Sequence, residues 1–175
     1  MHVLVAVASR HGSTREIADA VAEALRDAGH RVDVLDPDDV TDLDHDAVVL
    51  GSSVYVGRWS ASARAFVDRL AASYHGRSVW LFSSGPVGRA PVPADDPEEV
   101  PSLLVRLGAR GHRTFAGRLD AGGLGLAERA VVALVQSPSG DYRDWREVRA
   151  WAEGIGHELH AEEIRRVRTG PLTRS

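Results

Sequence analysis

The apolar run Val3-Leu4-Val5-Ala6-Val7 leads directly into Ser9-Arg10-His11-Gly12-Ser13-Thr14, and that short loop opens an amphipathic helix. No other stretch constrains the fold as much. A strand this uniformly apolar needs cover on both faces, which is the situation of a central strand in a parallel sheet. The loop brings the hydroxyls of Ser9, Ser13 and Thr14 and the backbone N–H groups of His11, Gly12, Ser13 and Thr14 to the positive end of the helix dipole. That geometry holds a phosphate without a lysine. Gly12 permits close backbone approach, and Arg10 adds charge near the mouth. The dipole contributes about 1 kcal/mol to a bound dianion. The same residues also suit an ordinary capped helix, with Ser13 or Thr14 as the cap. The loop lacks the GK[ST] ending of a Walker motif and the spacing of G-x-G-x-x-G.

Lysine is absent from the chain, and all 21 basic residues are arginine. Schiff-base chemistry on lysine is therefore excluded. There are no cysteines, which removes disulfides, thiolate nucleophiles, Fe–S ligation and Cys-based zinc sites together. The net charge of −4 does not suggest nucleic acid, whose partners carry a strongly basic footprint. No apolar run approaches the roughly 18–20 residues of a membrane span. The N-terminus reads as a strand rather than a signal peptide, so a cytoplasmic location is expected. At 175 residues the chain suits one domain, over residues 1–167, with a frayed tail at 168–175.

Strand and helix patterns alternate along the sequence. Strands are predicted at Val3–Val7, Arg31–Leu35, Ala47–Leu50, Ser78–Phe82 and His112–Ala116. Helices are predicted at Thr14–Ala28, Ala61–Tyr74, Pro97–Leu107, Leu124–Val135 and Tyr142–Val167. In the last helix Trp145, Val148, Trp151, Ala152, Ile155 and Leu159 form the buried stripe. The fold class is α/β: a doubly wound, five-stranded parallel sheet of order 2-1-3-4-5 with helices on both faces. Ligands of such sheets bind beyond the carboxyl ends of the strands, at the switch point. The unusual loops follow strands one, three and four, at that end.

The second of these loops is Gly51-Ser52-Ser53-Val54-Tyr55-Val56-Gly57-Arg58-Trp59. Tyr55 and Trp59 offer flat walls for a planar ring, and the small residues offer backbone groups to its polar edge. Both aromatics also suit simple cover for the end of the sheet. The third loop is Ser83-Ser84-Gly85-Pro86-Val87-Gly88-Arg89, with N–H donors for the same edge or, as plainly, a Gly-Pro turn. The acidic stretch Asp36–Asp46 reads as a solvated loop. His157 and His160 share a helix face without a third ligand, and no metal site is predicted. No G-x-S-x-G elbow supports a hydrolase. A receiver domain would need paired acids after strand one, where Ala8-Ser9 stand.

Ser9-Arg10-His11-Gly12-Ser13-Thr14, and Gly51-Ser52-Ser53-Val54 through Gly57 and Trp59, are similar to the first two loops of the FMN-dependent protoporphyrinogen oxidase type within the flavodoxin superfamily, which the chain resembles over nearly its whole length. Phe115-Ala116-Gly117-Arg118-Leu119, an inserted segment, and Asp141-Tyr142-Arg143-Asp144-Trp145 resemble the C-terminal third of the same type, which is menaquinone-linked. The resemblance implies FMN as cofactor. It implies contacts at Ser9, Gly12, Ser13, Thr14, Ser52, Val54, Tyr55, Gly57, Trp59, Ser84 and Gly85, with Arg10, His11, Ser53, Ser83 and Gly88 in the same loops. It implies oxidation of a porphyrinogen with a quinone as acceptor. The insert, Asp120 to Ser139, is short and aliphatic here, with Arg129 its one internal base, and suits a helix packed on the domain or at a homo-oligomer interface. Two other readings stay open: an electron carrier that docks on a redox partner, and a flavin-free binding protein of the same shape.

Overall fold

A computed structural model describes residues 1–85, 96–119 and 140–169. In chain order the strands are β1 (His2–Ala8), β2 (Arg31–Leu35), β3 (Ala47–Tyr55), β4 (Arg58–Trp59), β5 (Ser78–Ser84), β6 (Gly111–Phe115), β7 (Arg118–Leu119) and β8 (Gly140–Asp141). The helices are α1 (Ser13–Asp27), α2 (Ala61–Ser73), α3 (Val100–Leu107) and α4 (Trp145–Thr169). Strands β2-β1-β3-β5-β6 pair in parallel in that spatial order. This is the expected 2-1-3-4-5 order once the short antiparallel strand β4, paired to β3, takes a number of its own.

Alternation along β1 explains the layers. Val3, Val5 and Val7 point to one face, where Ile17, Ala18, Val21 and Leu25 of α1 meet Val148, Ala152, Ile155 and Leu159 of α4. Leu4, Ala6 and Ala8 point to the other, against Phe66, Val67 and Leu70 of α2 and Leu103 of α3. Phe82, Phe115 and Trp151 form an aromatic cluster with ring centroids 5.5–6.0 Å apart, near the carboxyl end of the sheet. Among the described residues, no helix is long and apolar enough to cross a membrane.

Strand β3 runs five residues beyond its predicted end at Leu50. Gly51, Ser52 and Ser53 stay in register between β1 and β5, opposite Val7 and Ala8 on one side and Phe82, Ser83 and Ser84 on the other. Small polar residues read as a loop in the sequence, yet here they fill the centre of the sheet. Gly51 is required there: a Cβ would lie 2.0 Å from Cζ of Phe82. Ser52 satisfies itself internally, donating to the carbonyl of Ser53 at 2.9 Å and accepting from the N–H of Ser60 at 3.0 Å.

Other boundaries differ for local reasons. Helix α4 starts at Trp145 rather than Tyr142, because Asp144 Oδ1 accepts from the N–H groups of Arg146 and Glu147 and caps it there. Trp145 is consequently outside the buried stripe, 42% exposed, with its ring 4.4 Å from the Arg143 guanidinium carbon. The predicted helix Leu124–Val135 lies outside the described residues.

Candidate functional site

Helix α1 begins without a side-chain cap. Its cap position is Gly12, at φ 82°, and no side-chain cap hydrogen bond is made there. Helix α2 is the contrast: Ser60 Oγ accepts from the N–H of Ala63 at 3.2 Å. The sequence alternative for the first loop, a cap from Ser13 or Thr14, is not what forms. Ser13 Oγ instead accepts from the backbone N–H of Arg118 at 3.0 Å, and Thr14 is buried. The first-turn N–H groups have no partner within the helix. Beside them, Ser9 Oγ is buried with no hydrogen-bond partner. An orphan buried hydroxyl costs about 1–3 kcal/mol. An anion at this helix end satisfies the hydroxyl and the N–H groups together. The residues present therefore fit the phosphate of a mononucleotide.

Arg10 and His11 carry the loop across to β3. The Arg10 guanidinium carbon lies 5.8 Å from the Tyr55 ring centroid, and the His11 ring meets Tyr55 edge-on at 6.2 Å. Tyr55 is half-buried at the end of β3, and the chain then reverses through Val56 and Gly57, at φ 49° and 72°. Two successive positive φ angles make the tight turn that matches strand twist. A β-branched residue at positive φ is strained. Val56 is nonetheless there and 91% exposed, at the rim of the site.

The structure does not give Trp59 a place at this rim. Its ring is 2% exposed and packs in the core under α2. Its Nε1–H donates to Ser83 Oγ at 2.8 Å, and its backbone N–H donates to the Glu99 carboxylate. Trp59 thus anchors the hairpin from below, and of the two aromatics singled out in the sequence only Tyr55 is left at the surface. Val54 and Ser53 are buried, as are Ser52, Ser83 and Ser84. The N–H of Gly85, at φ 97°, donates to the Phe115 carbonyl at 3.1 Å, which joins the third loop to β6. Gly88 lies outside the described residues.

Ser83 is the centre of a buried string. Trp59 can only donate to it, so the Ser83 proton turns to His112 Nε2, 2.8 Å away. His112 Nδ1 then faces Asp96 Oδ1 at 3.3 Å. Burial pulls the His112 pKa down, against the opposing pull of Asp96. The order Ser-His-Asp is that of a nucleophilic triad. Here the serine is fully buried and already held by Trp59, so the string braces the hairpin rather than attacks a substrate.

A second anchor is built from the two C-terminal segments that the sequence marked by resemblance without assigning them a role, and it sits above the first loop. Strands β7 and β8 pair, and the Tyr142 N–H donates to the Gly117 carbonyl at 3.2 Å. The Arg143 side chain is 2% exposed; it grips Asp141 Oδ2 at 2.6 Å, Glu16 Oε2 at 2.7 Å and the Ser13 carbonyl at 3.3 Å. Arg118 reaches the other Glu16 oxygen at 3.2 Å. The hydrogen bonds from Arg143 hold the Asp141 carboxyl below the usual carboxylate range. The available signal was the alternation of acid and base in Asp141-Tyr142-Arg143-Asp144.

The flavodoxin domain family matches residues 4–145. The protoporphyrinogen IX dehydrogenase [quinone] of Escherichia coli (strain K12) is 25% identical over 173 residues, spanning 90% of this chain and 96% of that protein. A flavodoxin from the domain Archaea superposes with a TM-score of 0.64 at 19% identity, covering 91% of this chain and 99% of that one. A flavodoxin of Streptococcus pneumoniae TIGR4 superposes with a TM-score of 0.62 at 22% identity, covering 93% and 99%. The chain belongs to the flavodoxin-domain family, and its cofactor is FMN.

Proposed function

We propose that this protein is an FMN-dependent oxidoreductase that takes hydrogen from a reduced tetrapyrrole of the porphyrinogen class and passes the electrons to a quinone. The observation that carries the flavin half is the unpartnered, buried Ser9 hydroxyl beside the uncapped start of α1. The substrate half is supported by the end-to-end likeness to the Escherichia coli dehydrogenase.

FMN, when bound, supplies the redox chemistry, and the protein positions it. Ser9, Ser13, Thr14 and the N–H groups after Gly12 would hold the phosphate. Tyr55 would offer a wall to the ring, with Val54 and Gly57 in the same loop. Arg118 and Arg143 keep the loop in place through Glu16. The reading includes a single domain over residues 1–167 and a cytoplasmic location.

The test is turnover. FMN-loaded protein is given protoporphyrinogen IX and a soluble quinone, against free FMN at equal concentration. Faster porphyrin formation with the protein supports the reading, and a rate equal to free FMN refutes the tetrapyrrole half. A second reading is an electron carrier with no substrate of its own. It is favoured by the near-complete coverage of two flavodoxins. Reduction by a reductase that slows steeply with salt would select it, because docking of carriers is electrostatically steered.

A further inference from the structure

At the end of the sheet opposite the flavin loops, three side chains converge on one point. His2 is the first residue of β1, Asp33 is the middle residue of β2, and His45 lies two residues before β3. All three project on the α2 side. His2 Nε2 lies 2.6 Å from Asp33 Oδ2, and His45 Nε2 lies 3.1 Å from the same oxygen. One potential ligand atom from each residue lies within 4.8 Å of the other two. Among the described residues this is the one cluster of three such groups.

We propose that His2, Asp33 and His45 bind a first-row transition-metal dication, Zn²⁺ in particular. Ligands at 2.0–2.2 Å in a tetrahedral shell are about 3.4 Å apart, so small rotations of the two imidazoles and the carboxylate admit the ion. Two imidazoles and one carboxylate suit zinc and its neighbours rather than Mg²⁺ or Ca²⁺, which prefer all-oxygen shells. The site is half open: the side chains of His2 and Asp33 are partly exposed and that of His45 is buried. Water completes the coordination from the open side.

The ligands are held in place before any ion arrives. The His45 carbonyl accepts from Tyr74 Oη and from Arg77 Nη1, each at 2.9 Å. The backbone of His2 is clasped by Asp46, whose Oδ2 accepts from the His2 N–H and whose N–H donates to the His2 carbonyl, both at 2.8 Å. Asp46 adds negative charge behind the site, partly offset by Arg166 at 3.0 Å. Arg31 lies close enough to act on Asp33 as well. A bound ion would tie the edge strand β2 and the entry to β3 to β1. It would stand about 20 Å, the length of the seven-residue strand β1, from the phosphate loop.

The experiment is calorimetric titration of tag-free, FMN-loaded protein with Zn²⁺, repeated on His2→Gln, Asp33→Asn and, as a control, His157→Gln/His160→Gln. The expected result is one Zn²⁺ per chain, affinity at least tenfold lower in His2→Gln and in Asp33→Asn, unchanged affinity in the control, and an unaltered flavin spectrum throughout. Absence of uptake by the parent protein overturns the proposal. So does uptake that survives both ligand substitutions, or that disappears in the control. His2 and Asp33 are the variants of choice because both are partly exposed and their loss leaves the core intact. The readout is separate from flavin turnover, so it stands or falls independently of the proposed reaction.

Discussion

Arg143 donates to Glu16 at 2.7 Å, linking the segment before α4 to the first turn of α1 across 127 positions of sequence. The Arg143 side chain is buried, whereas its two carboxylate partners are about half exposed. A buried guanidinium held by three groups fixes geometry more than it adds stability. The thing fixed is the loop proposed to take the FMN phosphate.

Replacement of Arg143 should therefore act on FMN as well as on folding. Arg143→Met is expected to lower stability by about 1–2 kcal/mol after screening of the exposed partners, and to weaken FMN binding severalfold. Arg143→Lys should not restore binding, because an ammonium cannot reproduce the two-pronged grip on Asp141. Denaturant midpoints and flavin titrations of both variants check this. Unchanged FMN affinity in Arg143→Met would separate the clamp from the site.

Ser9→Ala makes the sharper test of the phosphate loop. The hydroxyl is buried and unpartnered without ligand. Its removal should leave the flavin-free protein as stable as before, or slightly more so. It should weaken FMN by about 10–100-fold, the worth of a hydrogen bond to a charged group at about 1.5–3 kcal/mol. Riboflavin, which has no phosphate, should bind the variant and the parent equally. An equal loss for both flavins would place Ser9 elsewhere in the site.

Gly51→Ala is expected to destabilise strongly, by about 3 kcal/mol or more, since the new methyl would overlap the tip of the Phe82 ring, 2.0 Å from Cζ. A second change, Phe82→Leu, should recover part of that loss. Thermal melts of the single and double variants measure the coupling. Additive losses would show that the ring can move aside.

Acid sensitivity has a defined sign at His112. Its folded pKa lies below the usual 6.5, chiefly because burial disfavours the charged form. The unfolded chain therefore binds the proton first as pH falls. The contribution is fully present above about pH 6.5 and is lost as pH falls from there through the folded value. His30, lowered by burial too, acts with the same sign. His112→Gln should flatten, but not abolish, the decline in stability below pH 6.5. A variant with the parent's full slope would remove His112 from the account.

Much of the architecture was legible because it follows from periodicity. The apolar run of β1, the stripe of α1 at Ile17, Ala18, Val21 and Leu25, and the strand–loop–helix junction led to the doubly wound sheet. The carboxyl end of β3 was not legible, because Gly51, Ser52 and Ser53 have poor strand propensity and are held by neighbours on both sides. Trp59 was misplaced for a related reason: a loop aromatic with a polar handle suits a rim or a buried anchor equally, and the choice fell to Ser83 and Glu99, 24 and 40 residues away. The His2–Asp33–His45 cluster depends on contacts between strands far apart in the sequence, and local sequence carries no trace of it. The Arg143 clamp left a local trace in Asp141-Tyr142-Arg143-Asp144, but its partner Glu16 lies 127 positions away.

The most direct test of the account is a visible-absorption titration of the flavin-stripped protein with FMN, run in parallel with riboflavin. The account predicts one FMN per chain, with riboflavin bound at least tenfold more weakly because the start of α1 and Ser9 lose their anion. Absence of FMN uptake, or equal affinity for the two flavins, would contradict it.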